Sequence, residues 1–166
     1  MTDPKSAPGR NPAPGAPPEH GDPGGPALHA TVERRVEWSD TDASGHQHNT
    51  AVIRWAEAAE AELLRRHDLA WMWGRAPRVR HEIDYLGRLW HGETVRIRLW
   101  AAALGRTSLT YGFEVHGPTG PAARGRVVIA HAAPDAASAT PWPESVRTAF
   151  ARVARPATPD SALEVS

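Results

Sequence analysis

The chain contains no cysteine. That excludes a disulfide scaffold, a cysteine nucleophile and a thiolate metal site. Lysine is almost missing too: Lys5 is the only one, and every other strongly basic side chain is arginine. This preference, with abundant Ala, Gly and Pro, reflects a GC-rich coding bias rather than a function. Net charge is absent, since 19 Lys and Arg balance 19 Asp and Glu. No global field therefore draws the chain toward nucleic acid or a membrane surface. No apolar run approaches the about 20 residues that cross a bilayer. The N-terminus lacks the hydrophobic stretch of a signal peptide. A cytoplasmic location is the expectation.

Large apolar side chains are scarce at the start. Residues 1–28 hold eight of the sixteen prolines and five glycines. Such a segment cannot bury enough surface to offset its ordering entropy, so it reads as a disordered tail. Residues 156–166, "PATPDSALEVS", read as a second, shorter tail. The remainder, residues 29–155, has the usual size of one compact domain.

Within it, "ATVERRVEW" suits a strand of mixed faces. From Thr50 to His67 the pattern turns helical: Val52, Trp55, Ala56, Ala59 and Leu63 recur at offsets of three and four and form one apolar stripe. Arg54, Glu57, Glu60 and Arg65 lie off that stripe, and the many alanines favour a helix. Four strand-like runs follow, Arg78–Leu86, Glu93–Leu104, Ser108–His116 and Ala122–His131. Their short separators, "WHG", "GRT" and "GPTG", are turn material, which predicts an antiparallel meander. A short helix in "PESVRTAFARV" closes the domain, with Pro143 at its first turn. One long helix needs a sheet to cover its apolar face, so the fold class is α+β. No internal repeat is present.

The chemistry concentrates in "WSDTDASGHQHNT", residues 38–50. Asp40, Asp42, Ser44 and Gly45 imitate the start of a calcium loop. However, such a loop needs a bidentate Glu at its twelfth position, and Ala51 stands there. Asp40, Asp42, His46 and His48 are plausible transition-metal ligand types. Yet no ligand pair lies at i, i+4 on a helix, so no metal is expected. Two readings stay open. Asp, Ser, Gly and Asn are turn formers and helix caps. Alternatively, a loop carboxylate beside the unpaired N–H groups of a helix start suits acyl transfer, without metal or cysteine.

"WSDTDASGHQHNTAVIRWAEAAEAELL" resembles the opening of the 4-hydroxybenzoyl-CoA thioesterase family. That family's pattern is an aromatic, then Asp-x-Asp-Ala-x-Gly-His, then Asn at the start of a central helix. The segment "VRHEIDYLGRLWHGETVRIRLWAAALGRTSLTYGFEV" resembles its next three strands, and "PWPESVR" its closing segment. The resemblance covers about residues 30–152. It implies a hotdog fold, in which a five-stranded antiparallel sheet wraps the long helix. It also implies a homodimer or dimer of dimers, with active sites where two subunits meet. Asp42 matches the family's catalytic carboxylate, attacking the thioester carbonyl or activating a water. The amide near Asn49 would hold the carbonyl oxygen, and His46 and Asn49 would orient water, substrate or Asp42. Asp40 would support the loop. Gly45, Thr50 and Trp55 are the substrate-binding candidates, Trp55 with a place in the core as its other role.

Many family members have Val-Asn-Asn or a Tyr near the helix start, where this chain has Gln47, His48 and Asn49. His48 is therefore expected to be an exposed polar residue. The missing Tyr separates this chain from the family's aromatic-acyl namesake. The implied activity is hydrolysis of acyl-CoA or an acyl-carrier protein thioester, with no cofactor. Arg75, Arg78, Arg80, Arg88 and Arg106 are candidates to meet substrate phosphates. Trp71 and Trp73 are candidates to close the pocket or a subunit interface, and Trp90 and Trp100 to pack. A hydratase of the same fold needs Asn-Pro between its Asp and His, which does not occur here. A non-catalytic acyl-binding or carrier-protein-interacting module is the alternative function.

Overall fold

The computed structural model describes residues 28–151, so the expected tails at 1–27 and 156–166 lie outside the described residues. The elements are β1 (His29–Arg35), α1 (Asn49–Arg66), β2 (Arg78–Tyr85), β3 (Thr94–Leu104), β4 (Ser108–Gly117), β5 (Gly120–Ala130) and α2 (Glu144–Ala149). Single 3-10 turns follow β1 at Trp38–Asp40 and α1 at Ala70–Met72. Leu28, assigned to the N-terminal tail by composition, is instead buried. Its carbonyl accepts from Ala101 N at 3.0 Å, which extends the pairing of β1 with β3 by one step.

The helix forms where the apolar spacing predicts it. Val52, Trp55, Ala56, Ala59 and Leu63 are all buried, and the stripe packs on β1 and β3. Arg65 and Arg66 occupy the last turn, where cations complement the helix dipole. The sheet answers with a period of two: Ile97, Leu99 and Ala101 on β3, Tyr111, Phe113 and Val115 on β4, and Val127 and Ile129 on β5 are buried. Burying one such aliphatic side chain contributes about 1.5–3 kcal/mol.

All strand pairs are antiparallel, but their order is β1-β3-β4-β5-β2. The expected four-strand meander therefore holds only for β3, β4 and β5. β2 pairs with β5, from Arg78 opposite Ile129 to Tyr85 opposite Ala123, and lies at an edge. The reason is visible in the segment joining β2 to β3. It does not fold back as a hairpin, because segment 36–47 captures it: Gln47 N donates to Leu89 O at 2.8 Å, and Gly92 N donates to Val36 O at 2.8 Å. Gly125 permits the β5–β2 pairing, since a Cβ there would overlap Glu82 O and lie 2.7 Å from Phe113 Cζ.

Glu60, placed off the apolar stripe by spacing, is buried. Arg78 explains it: its guanidinium bonds both Glu60 and, at 3.0 Å, Glu57. Burial pushes the Glu60 carboxyl above its ordinary pKa, while Arg78 pulls in the opposite direction. Among the described residues the neighbouring Tyr111 hydroxyl has no hydrogen-bond partner, and burial raises its pKa.

Candidate active site

Residues 41–47 fold as a small hairpin, with Thr41 bridged to Gln47. Gly45 N donates to Asp42 O at 2.9 Å and closes a turn over Asp42–Gly45. Gly45 has φ +82°, the left-handed conformation that follows such a turn. Asp42 is the first turn residue, and its side chain does what Asp does there. Oδ1 accepts from Ser44 N at 2.8 Å and from the Ser44 hydroxyl, and the carboxylate stands at the surface. Those two bonds, the hydroxyl first, hold its carboxyl below the ordinary Asp range, and His46 and His48 act in the same direction.

Asp40 is buried beneath the loop and is fully engaged. It accepts from Arg54 Nη2 at 2.6 Å and from Glu37 N at 3.1 Å, and its carbonyl accepts from His48 N at 2.7 Å. The two acids of the motif are thus divided by environment: Asp40 braces the loop and Asp42 faces solvent. Gln47, also buried, ties the loop to the β2–β3 segment. Its Oε1 accepts from Leu89 N at 2.6 Å, and its Nε2 donates to Gly87 O at 3.0 Å.

The helix begins directly after this hairpin. His48 is its N-cap: Nδ1 accepts from Thr50 N at 3.1 Å. The His48 carbonyl accepts from Ala51 N at 2.9 Å. Among the described residues, the Asn49 N–H has no hydrogen-bond partner. It is one of the orphan donors that every helix start leaves.

A groove of about 480 Å³ gathers these groups. Asp42, His46, Asn49, His48, Tyr85 and Arg88 are among its walls. It unites the three catalytic candidates, Asp42, His46 and Asn49. None of the substrate-binding candidates lines it. Gly45 shapes the turn, Thr50 bonds the His48 ring, and Trp55 is 4% exposed within the core. His46 packs edge-on against Trp90, with ring centroids 5.9 Å apart. Trp90, expected to pack, is nonetheless 46% exposed beside the groove. Of the candidate arginines only Arg88 borders the groove; Arg78 is engaged by Glu57 and Glu60, and Arg80 by Glu82.

Tyr85 is the residue that sequence reasoning missed. No Tyr is near Asn49 in the chain, yet Tyr85 arrives from the end of β2, and its hydroxyl donates to Asn49 O at 2.8 Å. Its own pKa is raised by burial. A larger depression, about 740 Å³, lies over the sheet between Trp100, Glu82, Asp84, Arg124 and Arg126, and it holds none of the loop residues. Among the described residues, no three His, Asp or Glu side chains are grouped to hold a metal ion. No helix among them is long and apolar enough to cross a membrane.

One long helix against a five-stranded antiparallel sheet, with a carboxylate groove at the helix start, defines a hotdog-fold protein of the α+β class. The profile of the thioesterase-like superfamily matches residues 36–150; the chain belongs to that family and is a thioester hydrolase. A predicted thioesterase from Bacillus stearothermophilus is 30% identical, with a TM-score of 0.68, over 78% of this chain and 99% of that one. A thioesterase from Thermus thermophilus, complexed with coenzyme A and Zn, is 28% identical, with a TM-score of 0.67, over 77% and 96%. The 1,4-dihydroxy-2-naphthoyl-CoA thioesterase of Synechocystis shares the fold at 20% identity, with a TM-score of 0.67, over 74% and 96%. No curated protein matches the chain.

Proposed function

We propose that the protein hydrolyses acyl-CoA thioesters with Asp42 as its catalytic carboxylate. One observation carries this reading: an ionised, surface-facing carboxylate and an unbonded helix-start amide, Asn49 N–H, border the same groove. A thioester carbonyl placed between them meets a nucleophile at carbon and a donor at oxygen. The lowered pKa keeps Asp42 ionised, as attack on the carbonyl requires. Attack breaks the C–S bond, releases the thiolate and leaves an acyl–Asp42 anhydride. Water then cleaves the anhydride. The net products are the carboxylate, free thiol and one proton. His46, held edge-on by Trp90, borders the position of the water or acyl group.

Coenzyme A is favoured over a carrier protein as the thiol. Arg88 offers a guanidinium for phosphate at the groove edge, and the Thermus relative was crystallised with coenzyme A. The test is release of free thiol from a panel of acyl-CoA thioesters. Turnover of at least one is expected, and none on any member removes the reading.

The working unit in this proposal is a homodimer. β2 leaves its outer edge unpaired, and Val79, Tyr85 and Leu86 on and just beyond it are 61%, 47% and 50% exposed. Exposed strand edges with apolar side chains invite a second strand. Because Tyr85 touches Asn49, pairing through β2 sets the groove beside the partner. Sedimentation is expected to give twice the chain mass; a monomer at micromolar concentration contradicts it.

A further inference from the structure

His48, the N-cap of α1, also borders the groove. Its exposure agrees with the sequence expectation, but its bonds do not describe an idle polar residue. Its backbone N–H donates to Asp40 O at 2.7 Å, and Asp40 is itself held by Arg54. Its ring is anchored at the helix start by Thr50. The direction of that contact decides the tautomer. A backbone N–H can only donate, so Nδ1, 3.1 Å from Thr50 N, is the acceptor. The Thr50 hydroxyl, 2.8 Å from the same nitrogen, is then a second donor to it. The proton of the neutral ring must reside on Nε2. Nδ1 is occupied by the helix, so the free polar atom of this ring is a donor, Nε2–H, on a residue that borders the groove with Asp42 and Asn49.

Resting on the thioesterase reading of this groove, we propose that His48 Nε2–H is a second hydrogen-bond donor to the thioester carbonyl oxygen, beside Asn49 N–H. When the Asp42 carboxylate adds to the carbonyl carbon, the π pair moves to oxygen. The two N–H groups hold that charge, and no proton is transferred. A cap that is also a donor explains why an imidazole serves here, where Ser, Asp or Asn suffices for capping alone. Both donors sit on consecutive residues at one rigid helix end, so their spacing is preset before substrate arrives.

The test separates the cap from the donor. His48→Ser keeps an acceptor for Thr50 N–H but removes the imidazole Nε2–H, leaving only a short hydroxyl at the helix start, whereas His48→Ala removes both cap and donor. Melting temperature should fall by roughly 3 °C in the Ala variant and stay near wild type in the Ser variant. In acyl-CoA hydrolysis both variants should lose about 100-fold in kcat, with KM within about twofold, as for an interaction made in the transition state. His48→Asn, which carries an acceptor and an N–H donor, should recover part of kcat. If His48→Ser restores kcat along with melting temperature, His48 is only a cap and the proposal is overturned. A wild-type protein that turns over no acyl-CoA removes the acyl-CoA reading and this proposal together. Wild-type turnover with a fully active His48→Ser removes this proposal alone.

Discussion

With Asp42 as the proposed catalytic carboxylate, Asp42→Asn is expected to lower kcat by about 1,000-fold while the fold stays intact. The amide neither attacks a carbonyl nor takes a proton, so the chemical step loses its reactive group. Stability is spared because Asn is also a turn former: its Oδ1 accepts from Ser44 N as the Asp carboxylate does. Melting temperature and kcat therefore separate in this variant. The assay is thiol release with a chromogenic reagent, and a chain without cysteine adds no background of its own. Equal turnover in wild type and variant would mean that Asp42 only shapes the turn. The pH profile carries the same information. Asp42 must be ionised to act, and the Ser44 hydroxyl, the Ser44 N–H and the nearby His46 and His48 hold its pKa down. The acid limb of kcat should therefore lie below the ordinary Asp range, with activity retained as pH falls until that lowered pKa is reached.

Arg78→Ala destabilises the protein by about 3 kcal/mol, the low end for breaking a buried ion pair. The low end applies because the Arg78 side chain is 32% exposed, while that of Glu60 is 6% exposed. Without Arg78, Glu60 keeps its desolvation and loses its cation, so its already raised pKa rises further. An acid whose folded pKa is raised contributes most to stability when protonated, and that contribution is lost as pH rises through the folded pKa. The deficit of Arg78→Ala should thus be larger at neutral pH than near pH 4, where Glu60 is increasingly protonated. Urea unfolding at the two pH values measures it, and a deficit independent of pH would show that Glu60 does not depend on Arg78. Activity below the melting range should change little. Glu60 lies eleven residues along α1 from Asn49, roughly 16 Å at the helical rise.

The helix and the individual strands were legible because their signals are local. Val52, Trp55, Ala56, Ala59 and Leu63 state a 3.6-residue period, and the inward residues of β3 and β4 a period of two. Boundaries of α1 and of β2 to β5 agree to within two residues, α1 being expected from Thr50 and beginning at Asn49. By contrast β1, expected to reach Trp38, ends at Arg35 because Trp38–Asp40 turns as a 3-10 helix, and α2, expected to run past Phe150, ends at Ala149. The turn at Asp42–Gly45 was equally readable, since Asp, Ser and Gly each serve a position in it. The place of Asp42, His46 and Asn49 in one groove follows from their spacing around a hairpin and a helix start. Trp55 shows the limit of that reasoning: an apolar stripe has only one face, and residues on it serve the core before they serve a ligand.

What the sequence by itself determined is the α+β architecture, the polar loop at 38–50 and its junction with the helix. Those depend on neighbours a few residues away, through propensity, periodicity and turn chemistry. Only the tertiary structure decided that β2 crosses to β5, that Glu60 is buried against Arg78, that Tyr85 reaches the Asn49 carbonyl, and that His48 Nδ1 accepts from Thr50 N. The first three are contacts between segments far apart in the chain. No local pattern encodes which distant strand a strand will meet, because that is settled by the packing of the whole sheet around the helix. The last joins near neighbours, but it depends on the direction of a single hydrogen bond, which only coordinates reveal.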